Sequence, residues 1–323
     1  MINLELSVSD MNKEVNTFSH VSVMLHECID ALRIDPKGIY VDCTAGGGGH
    51  SYEIVSRLTE GRLIAIDRDS AAIEAAGNRL SPFSDKVTLV HDNFLNLSDI
   101  LEGLGINKVN GVLMDLGVSS HQIDTADRGF SYMKDAPLDM RMNREDSLTA
   151  YEVVNRYSEE ELRRIFFEYG EEKYTPKIVS AILKRREESP IETTGQLVDI
   201  VASVYPRRHD EGHPAKRVFQ AIRIEVNGEL DIISPAIKAA TDALDIGGIV
   251  AVITFHSLED RAVKNEFSAL ARGCTCPPDF PVCVCGNKPK LKVLNKKPIL
   301  PSAQELESNS RSGSAKLRTA IKI

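Results

Sequence analysis

Four aspartates, Asp42, Asp67, Asp92 and Asp115, each close a short apolar run. In open α/β sheets, ligands bind beyond the carboxyl ends of the strands, so acids at those positions can meet hydroxyl or amino groups there. Any one of them could merely cap the following helix; four in succession favour a site. The first is followed by Thr44-Ala45-Gly46-Gly47-Gly48-Gly49-His50. Glycines let backbone amides approach a ligand closely, and the N-terminus of a following helix favours negative charge. Asp67 falls about 20 residues after this turn, where an acid can take ribose hydroxyls. Strand, glycine turn, helix, strand and acid form the nucleotide-cofactor half of a doubly wound sheet, a layout that serves nicotinamide, flavin and S-adenosylmethionine. The order Asp-x-Thr-x-Gly-x-Gly differs from Gly-x-Gly-x-x-Gly. S-adenosylmethionine carries a carboxylate and no pyrophosphate, so it tolerates an acid at the strand end more readily, and the turn tilts towards it.

The elements that position these residues can be traced by periodicity. Val23, Leu25, Cys28, Ile29 and Leu32 predict a helix before the first strand, Gly38–Val41. Further strands are expected at Arg62–Ile66, Val87–Val90 and Val109–Met114, with an alanine-rich helix at Ala71–Leu80. From Leu116 to Met142 the chain is irregular and dense in Arg, Asp and Gly. Helices then dominate to Tyr205. Ser158 and Glu161 form a capping box for a helix that stops at Gly170. Thr175-Pro176 reads as an N-cap and first-turn proline, and Thr194–Val204 as a short helix. In the helix Ala215–Leu230, an apolar stripe (Phe219, Ile222, Val226, Leu230) runs beside a polar one (Lys216, Gln220, Arg223, Asn227), as at the edge of a cleft. A strong strand, Gly247–Phe255, ends in His256-Ser257, and Lys290–Val293 and Lys316–Ile323 supply the last two. The expected organisation is a loose tail at 1–19, a catalytic α/β domain at 20–124 and 216–323, and a helical, substrate-recognising insertion at 125–215.

The chain has 323 residues and a net charge of −8, which argues against indiscriminate binding of polyanions. The charge is uneven, however. From Gly286 onward there are nine Lys or Arg against two Glu, and Lys184-Arg185-Arg186, Arg207-Arg208 and Lys216-Arg217 add smaller clusters. This fits a local RNA-docking face. Without a long apolar run or a signal-peptide pattern, a cytoplasmic protein away from membranes is expected. Cys28 and Cys43 read as buried thiols. Cys274, Cys276, Cys283 and Cys285 form C-x-C-x6-C-x-C. Four thiolates could hold zinc, but the spacing is tighter than the usual C-x2–4-C, so reduced loop thiols and no metal are expected.

Long literal motifs carry a more specific signal. They include His20-x-Ser22-Val23-Met24-Leu25, Asp115-Leu116-Gly117-Val118-Ser119-Ser120, Arg128-Gly129-Phe130-Ser131, Pro137-Leu138-Asp139-Met140-Arg141-Met142, Arg217-Val218-Phe219-Gln220-Ala221-Ile222-Arg223 and Phe255-His256-Ser257-Leu258-Glu259-Asp260-Arg261. From His20 on, the chain resembles the bacterial MraW family. The resemblance implies a class I methyltransferase fold with a helical insertion. It also implies S-adenosylmethionine-dependent methylation of N4 of a cytidine in the decoding centre, at the P site, of 16S rRNA, with the rRNA met within the small ribosomal subunit. Matched position by position, Gly48, Gly49, His50, Asp67, Phe94, Asp115 and Gln122 are the implied cofactor contacts.

A methyl on a sulfonium is already activated, so the enzyme's task is alignment, and no metal is required. Many amino methyltransferases carry Asp/Asn-Pro-Pro-Tyr after the fourth strand; this chain has Asp115-Leu116-Gly117-Val118. Asp115 and the Leu116–Ser120 backbone are expected to take over part of that role, with His256 and Ser257 facing the base from the other side. Phe130 is a candidate for stacking on the base, and Arg128, Arg141, Arg217 and Arg223 for phosphate contacts. Two other readings stand beside this one: a non-catalytic RNA-binding assembly factor that keeps the fold, and a nicotinamide oxidoreductase.

Overall fold

The computed structural model describes residues 22–206, 212–274, 276–277, 280–282 and 284–323. The expected tail at 1–19, His20, the Arg207-Arg208 pair and Cys283 lie outside the described residues. The strands are β1 (Ile39–Asp42), β2 (Arg62–Asp67), β3 (Val87–His91), β4 (Val109–Asp115), β5 (Leu244–Thr254), β6 (Leu291–Val293) and β7 (Lys316–Lys322). They form one sheet in the order β3-β2-β1-β4-β5-β7-β6. β1 to β5 are parallel, and β7 runs antiparallel between β5 and β6.

The apolar strands are covered on both faces, and residue alternation sorts them. Tyr40, Leu63, Ala65, Leu113, Ala251 and Ile253 meet one apolar layer. It includes α1 (Leu25–Leu32), α2 (Gly49–Val55) and the end of α3 (Ser70–Leu80). Val41, Ile64, Ile66, Val112, Met114, Val250 and Val252 meet the other layer. There they pack on α4 (Leu97–Gly103), α11 (Ile233–Ala243) and α12 (Ser257–Arg272).

Between β4 and β5 the chain leaves the sheet. After α5 (Ser120–Asp124) come α6 (Ala150–Arg156), α7 (Glu159–Glu168), α8 (Thr175–Glu188), α9 (Thr194–Val204) and α10 (Lys216–Asn227). α13 (Ala303–Ser308) follows later, before β7. The inserted helices have their own apolar core, and Val218, Phe219, Ala221, Ile222 and Val226 of α10 belong to it. The insertion's packing therefore extends past residue 216. The Ser158–Glu161 capping box is present at the start of α7. The expected cap at Thr175 is not: Thr175 is already helical, and its hydroxyl donates to the Glu172 carbonyl at 2.7 Å. α9 is instead capped by Thr193, through a second box with Gln196. Among the described residues, no helix is long and apolar enough to cross a membrane.

Candidate active site

The strand order reverses direction between β1 and β4, the switch point where open α/β sheets bind ligands. A cavity of about 500 Å³ opens there. The two strand ends are tied together just behind it. The Asp115 amide donates to Thr44 Oγ1 at 2.7 Å, and the Cys43 amide donates to the Leu113 carbonyl at 2.9 Å. Asp42 is fully buried and does not reach the cavity. It accepts from Ser51 Oγ at 2.6 Å and from the Thr44 amide at 3.1 Å, fixing the glycine turn to α2. Asp92 accepts from the Asn93 amide and the Asn96 side chain, bracing the turn that Asn93 caps. Of the four strand-end acids, Asp67 and Asp115 line the cavity.

Asp67 accepts from the Gly46 amide at 2.8 Å and the Asp69 amide at 2.9 Å. Burial outweighs those two bonds and pushes its carboxyl up to about 6. Asp115 is raised well above the usual carboxylate range, by burial first and then by the charges of Asp42 and Glu259. Its Oδ1 is buried with no hydrogen-bond partner, and its Oδ2 lies 3.8 Å from His50 Nδ1. His50 is held below its ordinary value by burial, and its Nε2 sits 3.1 Å from the Val23 carbonyl. A neutral imidazole that donates from Nε2 leaves Nδ1 as an acceptor towards Asp115. Gly49 packs closely on Ser22: a Cβ would lie 1.9 Å from Ser22 Oγ, so a side chain here would displace that hydroxyl.

Gly49, His50, Asp67, Phe94, Asp115 and Gln122 share the cavity wall, and Gly48 does not. Gly48 serves the turn from behind, in a left-handed conformation (φ 75°) beside the Ala76 backbone. Gln122 is committed to the protein. Its Nε2 donates to Asp69 at 2.8 Å, and its Oε1 accepts from the Ser119 amide at 3.0 Å in a capping box.

The second half of the expected site needs revision. His256 and Ser257 are absent from the cavity wall. His256 caps α12, its Nδ1 accepting from the Glu259 amide at 3.4 Å. Ser257 faces a second cavity of about 240 Å³. The residue that α12 sends into the main cavity is Glu259, one helical turn on. Burial would raise this carboxyl, but His256, Arg223 and the Phe255 amide outweigh burial and hold it below the usual range. Glu259 Oε2 accepts from the Phe255 amide at 2.7 Å. Its Oε1 has no in-line partner, although His256 Nε2 is 3.0 Å away. Gly117 (φ 93°) lies over this carboxylate, with its Cβ position 3.7 Å from Glu259 Oε1.

Most of the expected RNA contacts hold the insertion together instead. The Arg128 guanidinium is buried, paired with Asp69 at 2.8 Å and bonded to the carbonyls of Arg141 and Met142. Arg141 grips Asp139 and the carbonyls of Arg144 and Asp146. Phe130 sits in the insertion's core below Arg128. Arg223 lines the cavity but forms a two-point pair with Glu229 at 2.8 and 2.9 Å. Arg217 lines the second cavity, together with Gln220. Three residues of the polar stripe of α10 face a cleft, with Lys216 on the walls of both cavities, while the fourth, Asn227, is buried and bonded to the Met140 carbonyl and the Met142 amide. Tyr132, two residues beyond Phe130, also lines the main cavity, stacked on His213 with ring centres 4.5 Å apart. Arg79, Arg311 and Ser310 complete this wall from α3 and the segment before β7.

The sheet, with its antiparallel seventh strand, and the donor-sized cavity at the switch point define a class I methyltransferase, whose donor is S-adenosylmethionine. The cavity volume suits a nucleoside-sized ligand, and the orphaned Asp115 oxygen supplies a polar partner for one. The chain belongs to the MraW methylase family, whose family model matches residues 17–323. Two relatives named ribosomal RNA small subunit methyltransferase H come from Clostridium botulinum. That of strain Loch Maree is 58% identical over 308 residues, covering 95% of this chain and 99% of the relative. That of strain Okra is 57% identical with the same coverage. Among solved structures, an rRNA methylase from Streptococcus thermophilus is 12% identical with a TM-score of 0.43, covering 94% of this chain and 99% of that one.

Proposed function

We propose that this chain methylates N4 of a cytidine in the decoding centre, at the P site, of 16S rRNA, acting in the cytoplasm on the small ribosomal subunit. The names of the relatives support the rRNA substrate. The observation that carries the acceptor is Asp115 Oδ1, a buried carboxylate oxygen without a hydrogen-bond partner, with the Glu259 carboxylate on the same cavity wall.

Bound there, S-adenosylmethionine supplies a methyl that needs no further activation. An exocyclic amino group presents two N–H donors, and two carboxylates can accept both. Holding those hydrogens draws the nitrogen out of conjugation with the ring and frees its lone pair. Asp115 then takes the proton released after attack, and His50 Nδ1 stands behind it as an acceptor. Asp67 holds ribose hydroxyls, and Phe94 and Ile232 supply apolar wall. His256 acts as a positioning residue for Glu259. Tyr132, Lys216 and Arg217 line the cavities where the insertion meets them, which supports them as the groups that meet RNA.

The test is transfer of labelled methyl from S-adenosylmethionine to small subunits, naked 16S rRNA and DNA, followed by nucleoside mass spectrometry. N4-methylcytidine from rRNA is expected. Label on another atom, or on DNA alone, contradicts the proposal. Failure of calorimetry to detect S-adenosylmethionine binding would favour a non-catalytic RNA-binding factor.

A further inference from the structure

The described residues of the segment between α12 and β6 line neither cavity, yet three of its thiols converge. Cys274, Cys276 and Cys285 place their sulfur atoms within 4.8 Å of one another. Cys274 Sγ and Cys285 Sγ are 3.7 Å apart. That is far beyond a disulfide bond of about 2.05 Å. It matches the edge of a tetrahedron of thiolates around zinc: a Zn–S bond of about 2.3 Å gives an S···S edge of about 3.8 Å.

The surrounding loop supplies an independent reason for a ligand. Its described apolar side chains point outward, with Phe280 49%, Val282 70% and Val284 72% exposed. Among its described residues the loop therefore has no apolar core to offset the entropy of ordering its backbone. Its base is closed: Gly273 (φ 70°) abuts Pro289, and the Lys290 amide donates to the Leu270 carbonyl at 2.9 Å. Its tip is gathered by sulfur, with the Val284 amide donating to Cys276 Sγ at 3.3 Å. Small loops of this kind are ordered by metal ligation.

We infer that Cys274, Cys276 and Cys285 form three corners of a structural zinc site that pins the loop between α12 and β6. The sequence spacing alone favours plain thiols; the convergence of the sulfur atoms is the observation that points to a metal instead. Binding releases the three thiol protons, and the resulting thiolates coordinate the metal with no change of oxidation state. Cys283, the fourth cysteine of the motif, lies outside the described residues.

The test is metal analysis of the full chain purified under reducing conditions without chelator. About one zinc per chain is expected. Replacement by cobalt should give thiolate-to-cobalt charge transfer and the intense visible bands of tetrahedral coordination. The Cys274→Ser, Cys285→Ser double variant should lose at least about nine-tenths of the zinc while still binding S-adenosylhomocysteine, because the loop is remote from the donor cavity. Wild-type protein that stays metal-free after incubation with zinc would overturn the inference, whatever the variant does. So would a wild-type mass lower by two hydrogens, which reports a disulfide.

Discussion

Asp115 Oδ2 stands 3.8 Å from His50 Nδ1, with the acid at the end of β4 and the imidazole in the first turn of α2. The acid is pushed up by burial and by two neighbouring carboxylates, and the imidazole is pushed down by burial. Both shifts favour the neutral forms of the two groups in the ligand-free cavity. A sulfonium brought into the cavity favours the carboxylate form.

That relationship separates donor from product. S-adenosylmethionine is cationic and S-adenosylhomocysteine is not, so the donor should release a proton from Asp115 on binding and the product should not. Calorimetry in buffers of different ionisation enthalpy reads this directly. Asp115→Asn should abolish the difference and lower kcat by about 100-fold, with product affinity held within about threefold. Equal proton release by both ligands would contradict the assignment.

Asp67 sets a second pH dependence. Its carboxyl is raised from 3.8 to about 6. The ligand-free fold therefore binds this proton more tightly than the unfolded chain does. The resulting stability is complete below 3.8 and is lost as pH rises through about 6. Ligand binding runs the other way, because ribose hydroxyls need the ionised acceptor. The Kd for S-adenosylhomocysteine should fall by about tenfold per pH unit below the transition and level off above it. Asp67→Asn should flatten that profile; an unchanged profile in the variant would remove Asp67 from the ribose.

Glu259 and His256 should differ in kind. Glu259→Gln removes an acceptor charge from the cavity and is expected to cut kcat by about 100-fold with KM for donor little changed. His256→Ala loses the α12 cap, worth about 1 kcal/mol, and should show first as a lower Tm. If His256→Ala stops transfer while Glu259→Gln does not, the roles are reversed.

Arg128 should behave as a structural clamp. Breaking its buried pair with Asp69 leaves a charge without a partner, so Arg128→Ala should destabilise the fold by roughly 3 kcal/mol, seen in thermal melts. An unchanged Tm with weakened rRNA binding would restore it as a phosphate contact.

These cases show where sequence reading succeeds and where it stops. All seven strands were legible: the parallel ones as short apolar runs, four of them closed by an acid, and the last two, interrupted by Lys and Arg, by their alternation alone. Asp67 and Asp115 were legible as cavity acids because a strand end fixes their position. Asp92 shares that position but turns onto Asn93 and Asn96, a local choice that spacing does not encode. His256 and Glu259 lie within one turn of α12, and only the cap geometry reveals which of them faces inward. Arg128 and Arg141 looked like RNA contacts because their partners, Asp69 and the carbonyls of the irregular loop, come together only in the folded insertion. Tyr132 and Arg311 carried no motif; the fold alone brings them to the cavity.

The most direct measurement is a crystal structure of the chain with S-adenosylmethionine. The ribose should contact Asp67, the adenine should lie against Phe94, and the sulfonium should sit beside Asp115 with its methyl open towards Glu259 and Gly117. A donor lodged away from the β1–β4 switch point, or one whose methyl is walled off from Asp115 and Glu259, would contradict the account.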